Sequence, residues 1–84
     1  MTEQYLIDNG FTKVNIPHKD SDNGYDYYFY EKEICDELTL YSTDSVDVID
    51  DQWRLSCWEI PAIKIEITDH YEQFIELMTT IICN

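Results

Sequence analysis

Eighty-four residues allow one domain, 1–84, built on one core, since chains divide into separate cores only at two or three times that length. Eighteen Asp and Glu against five Lys and Arg leave a formal charge of −13 at pH 7, which repels phosphate backbones and anionic headgroups. Neither direct nucleic-acid binding nor membrane binding is therefore expected, and 44% hydrophobic residues with two Gly and two Pro exclude a linker or disordered chain.

Thr2 is placed to cap a short helix running to Asn9, with Glu3 in its first turn, Tyr5 and Leu6 inward helped by Ile7, and Gly10 as the left-handed residue that ends it. Phe11, Val14 and Ile16 then read as an extended segment that Pro17 confines to an edge or terminates. Asn23-Gly24 supplies the positive φ values of a tight hairpin turn, and the run Tyr25 to Tyr30 after it reads as the returning strand. A turn around Cys35 and Asp36 leads to a third strand over 37–43, and residues 52–60 read as a fourth. Between them, 44–51 is an acidic connection whose Val46, Val48 and Ile49 are too apolar for a plain loop. Ile63, Ile65 and Ile67 alternate with Lys64 and Glu66, the period of a half-buried strand or extended connector after Pro61.

Thr68 or Asp69 is placed to cap the last helix, and Asp69 with Glu72 has capping-box spacing. Tyr71, Phe74, Ile75, Met78, Ile81 and Ile82 form one apolar stripe along it. Sequential strands and an amphipathic helix give an α+β fold: an antiparallel meander of about four strands with a short N-terminal and a longer C-terminal helix on one face.

No apolar run approaches the roughly 20 residues of a membrane span, and MTEQYLIDNG has no basic region before an apolar one, so a cytoplasmic location is expected. Cys35, Cys57 and Cys83 are odd in number and form no CxxC pair, which suits free thiols acting as small hydrophobes in a reducing compartment.

Chemistry-bearing patterns are sparse. Asp20, Asp22 and Glu31 have oxygens near positions 1, 3 and 12 of a calcium loop, but Gly24 falls at position 5 where that loop needs it at 6, and strand follows instead of helix. His18 and His70 share no ligand spacing with a cysteine. Ser42, Ser45, Ser56 and Cys57 lack the context of an activated nucleophile, there is no Gly-rich phosphate loop, and Arg54 is the one arginine. No catalytic residue, cofactor or metal is assigned on this basis.

Aromatics and acids remain as candidate contact residues. Strand parity puts Tyr25, Tyr27 and Phe29 on one face and Tyr28 and Tyr30 on the other, while Trp53, Leu55 and Cys57 share a core face opposite Trp58. If helices cover one side of the sheet, Tyr28, Tyr30 and Trp58 are the expected open aromatic patch. Asp44, Asp47, Asp50 and Asp51 form one acidic cluster and Glu31, Glu33, Asp36 and Glu37 a second; aligned with Asp20, Asp22 and Asp26, they would make a ridge that steers a basic partner. The expected function is a small, acidic, non-catalytic protein-interaction module. The alternative is a nucleic-acid mimic that inhibits a basic DNA- or RNA-binding protein, since duplex DNA as long as this domain is wide carries about 18 charges. A small metal-dependent or hydrolytic enzyme is the second alternative.

Overall fold

A computed structural model describes residues 1–20, 24–35, 38–60 and 62–81. Helix α1 spans Glu3–Asp8 and is closed at both ends by local chemistry. The Thr2 hydroxyl accepts from the Tyr5 amide at 3.2 Å, satisfying one of the amide donors that every helix start leaves open. At the other end Gly10, at φ +83°, donates to the Ile7 carbonyl, and Phe11 donates to the Leu6 carbonyl at 3.0 Å. These paired bonds are a Schellman stop, which needs a residue tolerant of positive φ. Leu6 points into the core and Tyr5 is half-buried, whereas Ile7, expected to help bury that side, is 48% exposed.

The strands are β1 (Thr12–Ile16), β2 (Tyr27–Cys35), β3 (Leu38–Ser42), β4 (Leu55–Cys57) and β5 (Lys64–Ile65), each antiparallel to the next in the order β1-β2-β3-β4-β5. The meander thus has five strands, because the alternating segment around Ile65 pairs with Leu55 as a true edge strand. The fourth strand is shorter than its 52–60 reading: Trp53 pairs instead with Met1, its amide donating to the Met1 carbonyl at 2.7 Å and its carbonyl accepting from the N-terminal ammonium at 3.1 Å.

The first hairpin also forms, with a longer connection in which Gly24 has the expected positive φ, at 78°. Ile16 faces Tyr27, so the connection is the whole of 17–26 and includes a 3-10 turn at His18–Asp20, where a two-residue loop was expected at Asn23-Gly24; Asn23 lies outside the described residues. A tight turn occurs elsewhere. Asp50 and Asp51 have φ of 55° and 56°, and the Gln52 amide returns to the Ile49 carbonyl at 3.1 Å, the pattern of a type I′ turn. The Asp51 carboxylate steadies this turn by accepting from the Trp53 indole at 2.9 Å and the Glu3 amide at 3.1 Å.

Register sorts the sheet into two faces. Leu40 faces both Lys32 and Cys57, Ser42 faces Leu55, and Leu55 faces Ile65, so these side chains share the face on which Leu6, Phe11 and Tyr71 complete one buried cluster. Both helices lie there; α2 spans Thr68–Ile81, starting at Thr68 itself, and buries Tyr71 with Phe74 and Ile75 half-buried. Lys32 reaches between them, donating to the Asn9 carbonyl at 2.8 Å and the Tyr71 hydroxyl at 3.2 Å. Its ammonium meets the negative end of the α1 dipole, which offsets the cost of placing a charge beside the core. The side chains of Met78 and Ile81, and all of Ile82, lie outside the description.

Asp51→Ala removes one acceptor from two donors, and about 1–3 kcal/mol of stability is expected to go with it. For a domain of this size each kcal/mol is about 4–8 °C in Tm, so thermal melts decide this readily. An unchanged Tm would show that the turn needs no carboxylate.

Candidate functional site

Parity in β2 decides which aromatics are free. Lys13 faces Tyr30 and Asn15 faces Tyr28 across the β1–β2 ladder, so Tyr28 and Tyr30 lie on the helix-covered face. Tyr30 is 3% exposed, edge-on to Trp53 at 5.5 Å, and its hydroxyl donates to Glu3 at 2.6 Å. Burial first, and the bond to Glu3 second, push that hydroxyl well above the usual tyrosine value. Tyr28 is half-buried, with its ring 5.9 Å from Trp53 and the Lys13 ammonium 4.0 Å from the ring centre. The expectation that Tyr28 and Tyr30 join Trp58 in an open patch is therefore corrected: the two faces of β2 are the reverse of those expected, while Trp58 is on the open side opposite the core face of Leu55 and Cys57.

The helix-free face carries the other parity. Val14 faces Phe29 and Ile16 faces Tyr27 on its β1 side. Tyr41 sits between Glu31 of β2 and Ser56 of β4, and Ser56 is followed across the sheet by Lys64. Trp58 leaves β4 with its amide on the Thr39 carbonyl at 3.4 Å, and its indole stacks on Tyr41 with centroids 5.0 Å apart at 28°. Even so stacked, Trp58 is 53% exposed. Tyr27, Phe29 and Tyr41 are half-buried, so this face has an aromatic floor with one projecting indole.

The residues of the first acidic cluster have different surroundings. Asp44 is half-buried ahead of the 3-10 turn at Ser45–Asp47; burial first and Asp47 second hold its carboxyl above the usual carboxylate range. Asp47 lines a cleft of about 610 Å³ that also meets Ile49, Arg54, Glu66 and Ile67. Asp50 is exposed at its turn, and Asp51 holds Glu3 and Trp53 as described above. In the second cluster Glu31 and Glu33 belong to the helix-free face, opposite Tyr41 and Thr39, while Asp36 and Glu37 lie outside the described residues. Asp26 binds the His18 amide and sits 3.1 Å from its ring nitrogen; the Asp20 side chain and all of Asp22 are not described.

Ordinary active-site chemistry finds few parts. The Cys57 thiol is buried, which raises its pKa, and it donates to Glu59, whose carboxylate also accepts from the Thr39 amide at 3.1 Å. That amide bond holds Glu59 below its usual value. Among the described residues no group of three or more His, Cys, Asp or Glu could hold a metal ion, and no helix is long and apolar enough to cross a membrane. Comparison with protein-family models, with curated proteins and with solved structures finds no match.

A carboxyl whose folded-state pKa exceeds its unfolded value favours the fold only while protonated. That contribution is complete below the unfolded pKa and lost as pH rises through the folded one, so ionised Asp44 opposes folding at pH 7. Asp44→Asn is expected to raise Tm at pH 7, with the gain vanishing as pH falls through the carboxylate range; a gain equal at both pH values would contradict this. Trp58→Ala is expected to cost about 1 kcal/mol or less, the worth of one stacked pair, against about 3–5 kcal/mol for Trp53→Ala in the core. Equal losses in thermal melts would place Trp58 in the core as well.

Proposed function

We propose that this chain is a small non-catalytic interaction module that docks a basic protein on the helix-free face of its sheet. The observation that carries the reading is the Trp58–Tyr41 stack: a large indole, 53% exposed, on a face that neither helix covers. Tryptophan and tyrosine supply large contact area at low conformational cost and are enriched among residues that dominate binding energy. The partner's charge follows from complementarity, because a surface at −13 raises the encounter rate of basic proteins and repels acidic ones.

A non-catalytic role is supported by how the reactive groups are held. His18 sits against Asp26 at the surface, His70 is exposed on α2, and the Cys57 thiol is buried with its pKa raised, so no described cysteine is poised beside an imidazole. The mimic alternative asks for carboxylates along one face. Glu31 and Glu33 lie on the open side of the sheet, while Asp69, Glu72 and Glu76 belong to α2 on the covered side, which favours the broader docking reading.

The test is a parallel capture with wild-type and Trp58→Ala baits, followed by binding of the purified partner. A protein of net positive charge is expected on the wild type at low salt, released at high salt, and weakened by about tenfold or more by Trp58→Ala, a change of about 1.4 kcal/mol. The same proteins on both baits, or a partner of ordinary charge indifferent to salt, would overturn the proposal.

A further inference from the structure

We propose that the helix-free face seats an arginine side chain of the partner, its guanidinium lying on the free side of the Trp58 indole and held by the carboxylates of Glu31 and Glu33. This rests on the reading that a basic protein docks here, and it names the group that anchors it.

The register sets out the seat. Trp58, just past the end of β4, bonds to Thr39, and Thr39 faces Glu33, so the three residues form one row from β2 across β3. In the next row Tyr41, which supports the indole, faces Glu31. Neighbouring strands lie about 4.8 Å apart, so the backbones at Trp58 and Glu33 are about 10 Å apart, a span that one extended arginine side chain crosses over the small Thr39. Residues two apart on a strand share a face, so Glu31 and Glu33 both stand on this side, about 6.6 Å apart along β2.

Three observations select the occupant. One side of the indole is taken by Tyr41, yet Trp58 remains 53% exposed, leaving the other side for a flat group. Neither Glu31 nor Glu33 is in an ion pair among the described residues, in contrast to Glu59 nearby, whose oxygen is occupied by the Thr39 amide and the Cys57 thiol. Lys64 faces Ser56 on the β4–β5 side of the same face and lines a small pocket there with Arg54 and Glu66, two cations to one anion, so a cation meets more negative charge on the β2 side. A guanidinium suits this arrangement better than an ammonium, because it is planar, weakly hydrated, stacks on indole and meets carboxylates through two parallel bonds.

The experiment measures the affinity of two labelled peptides by fluorescence anisotropy, one alternating Arg with Gly and the other Lys with Gly at equal length and charge. The wild type is expected to bind the arginine peptide about tenfold more tightly. Trp58→Ala is expected to erase that preference, Trp58→Phe to keep part of it, and the Glu31→Gln/Glu33→Gln pair to weaken the arginine peptide most. Thermal melts of each variant confirm that the fold is retained. Equal binding of both peptides, lost together in Trp58→Ala, would overturn the arginine seat and leave docking at this face standing. An arginine preference that persists in Trp58→Ala, or no binding of either peptide, would overturn both.

Discussion

The Tyr30 hydroxyl donates to Glu3 at 2.6 Å while its ring lies edge-on to Trp53, and its amide donates to the Ser42 hydroxyl at 2.8 Å. These three contacts tie the longest strand to the first turn of α1, to the segment leading into β4 and to the end of β3. Because side chains alternate, fixing Tyr30 inward also fixes Tyr28, Lys32 and Ile34 inward and sends Tyr27, Phe29, Glu31 and Glu33 to the other side. The free face follows from that one choice of parity. Slipping β2 by one residue would bury two glutamates against the helices and strand the Tyr30 hydroxyl, so the register has no near competitor.

Much of this architecture is legible in the residues. Thr2 and Gly10 announce the ends of α1 because capping chemistry is local, and Tyr71, Phe74 and Ile75 announce the buried side of α2 because helical periodicity is local too. Trp53, Leu55 and Cys57 announce a core face through their strand alternation, which is also local. The choice between the two faces of β2 was not legible. Aromatic residues occupy both of them, so hydrophobicity does not separate Tyr27 from Tyr28 or Phe29 from Tyr30. What separates them is long-range: Glu3 lies 27 positions from Tyr30, and Trp53 meets its ring edge-on from the segment before β4. Turn placement shows the same limit. Asn23-Gly24 is the stronger turn signal by composition, yet the described type I′ geometry is at Asp50-Asp51, where the Asp51 carboxylate gains Trp53 and Glu3 as partners.

The acid excess divides into two kinds of carboxylate. Glu3, Asp26, Asp51 and Glu59 accept from donors of their own chain, a tyrosine hydroxyl, an indole and several backbone amides, and so act as struts. A carboxylate is a strong acceptor for such donors, and this use of acid is invisible to a net-charge argument. Glu31 and Glu33 are of the other kind, standing beside exposed aromatic surface with no ion pair among the described residues. Net charge and spacing do not distinguish the two kinds. On the helix-free face the described residues combine an exposed indole with the carboxylates of Glu31 and Glu33.

Aromatic side chains lie on both faces of the sheet, which gives a direct reporter of the central claim that the helix-free face is the docking face. Aromatic carbon–proton NMR spectra recorded during titration with the arginine peptide would follow both sets at once. The account predicts shifts concentrated at Trp58, Tyr41, Phe29 and Tyr27, with Tyr30, Trp53 and Tyr71 unmoved. Shifts confined to residues of α2 or of the 44–51 connection, with Trp58 and Tyr41 silent, would contradict it.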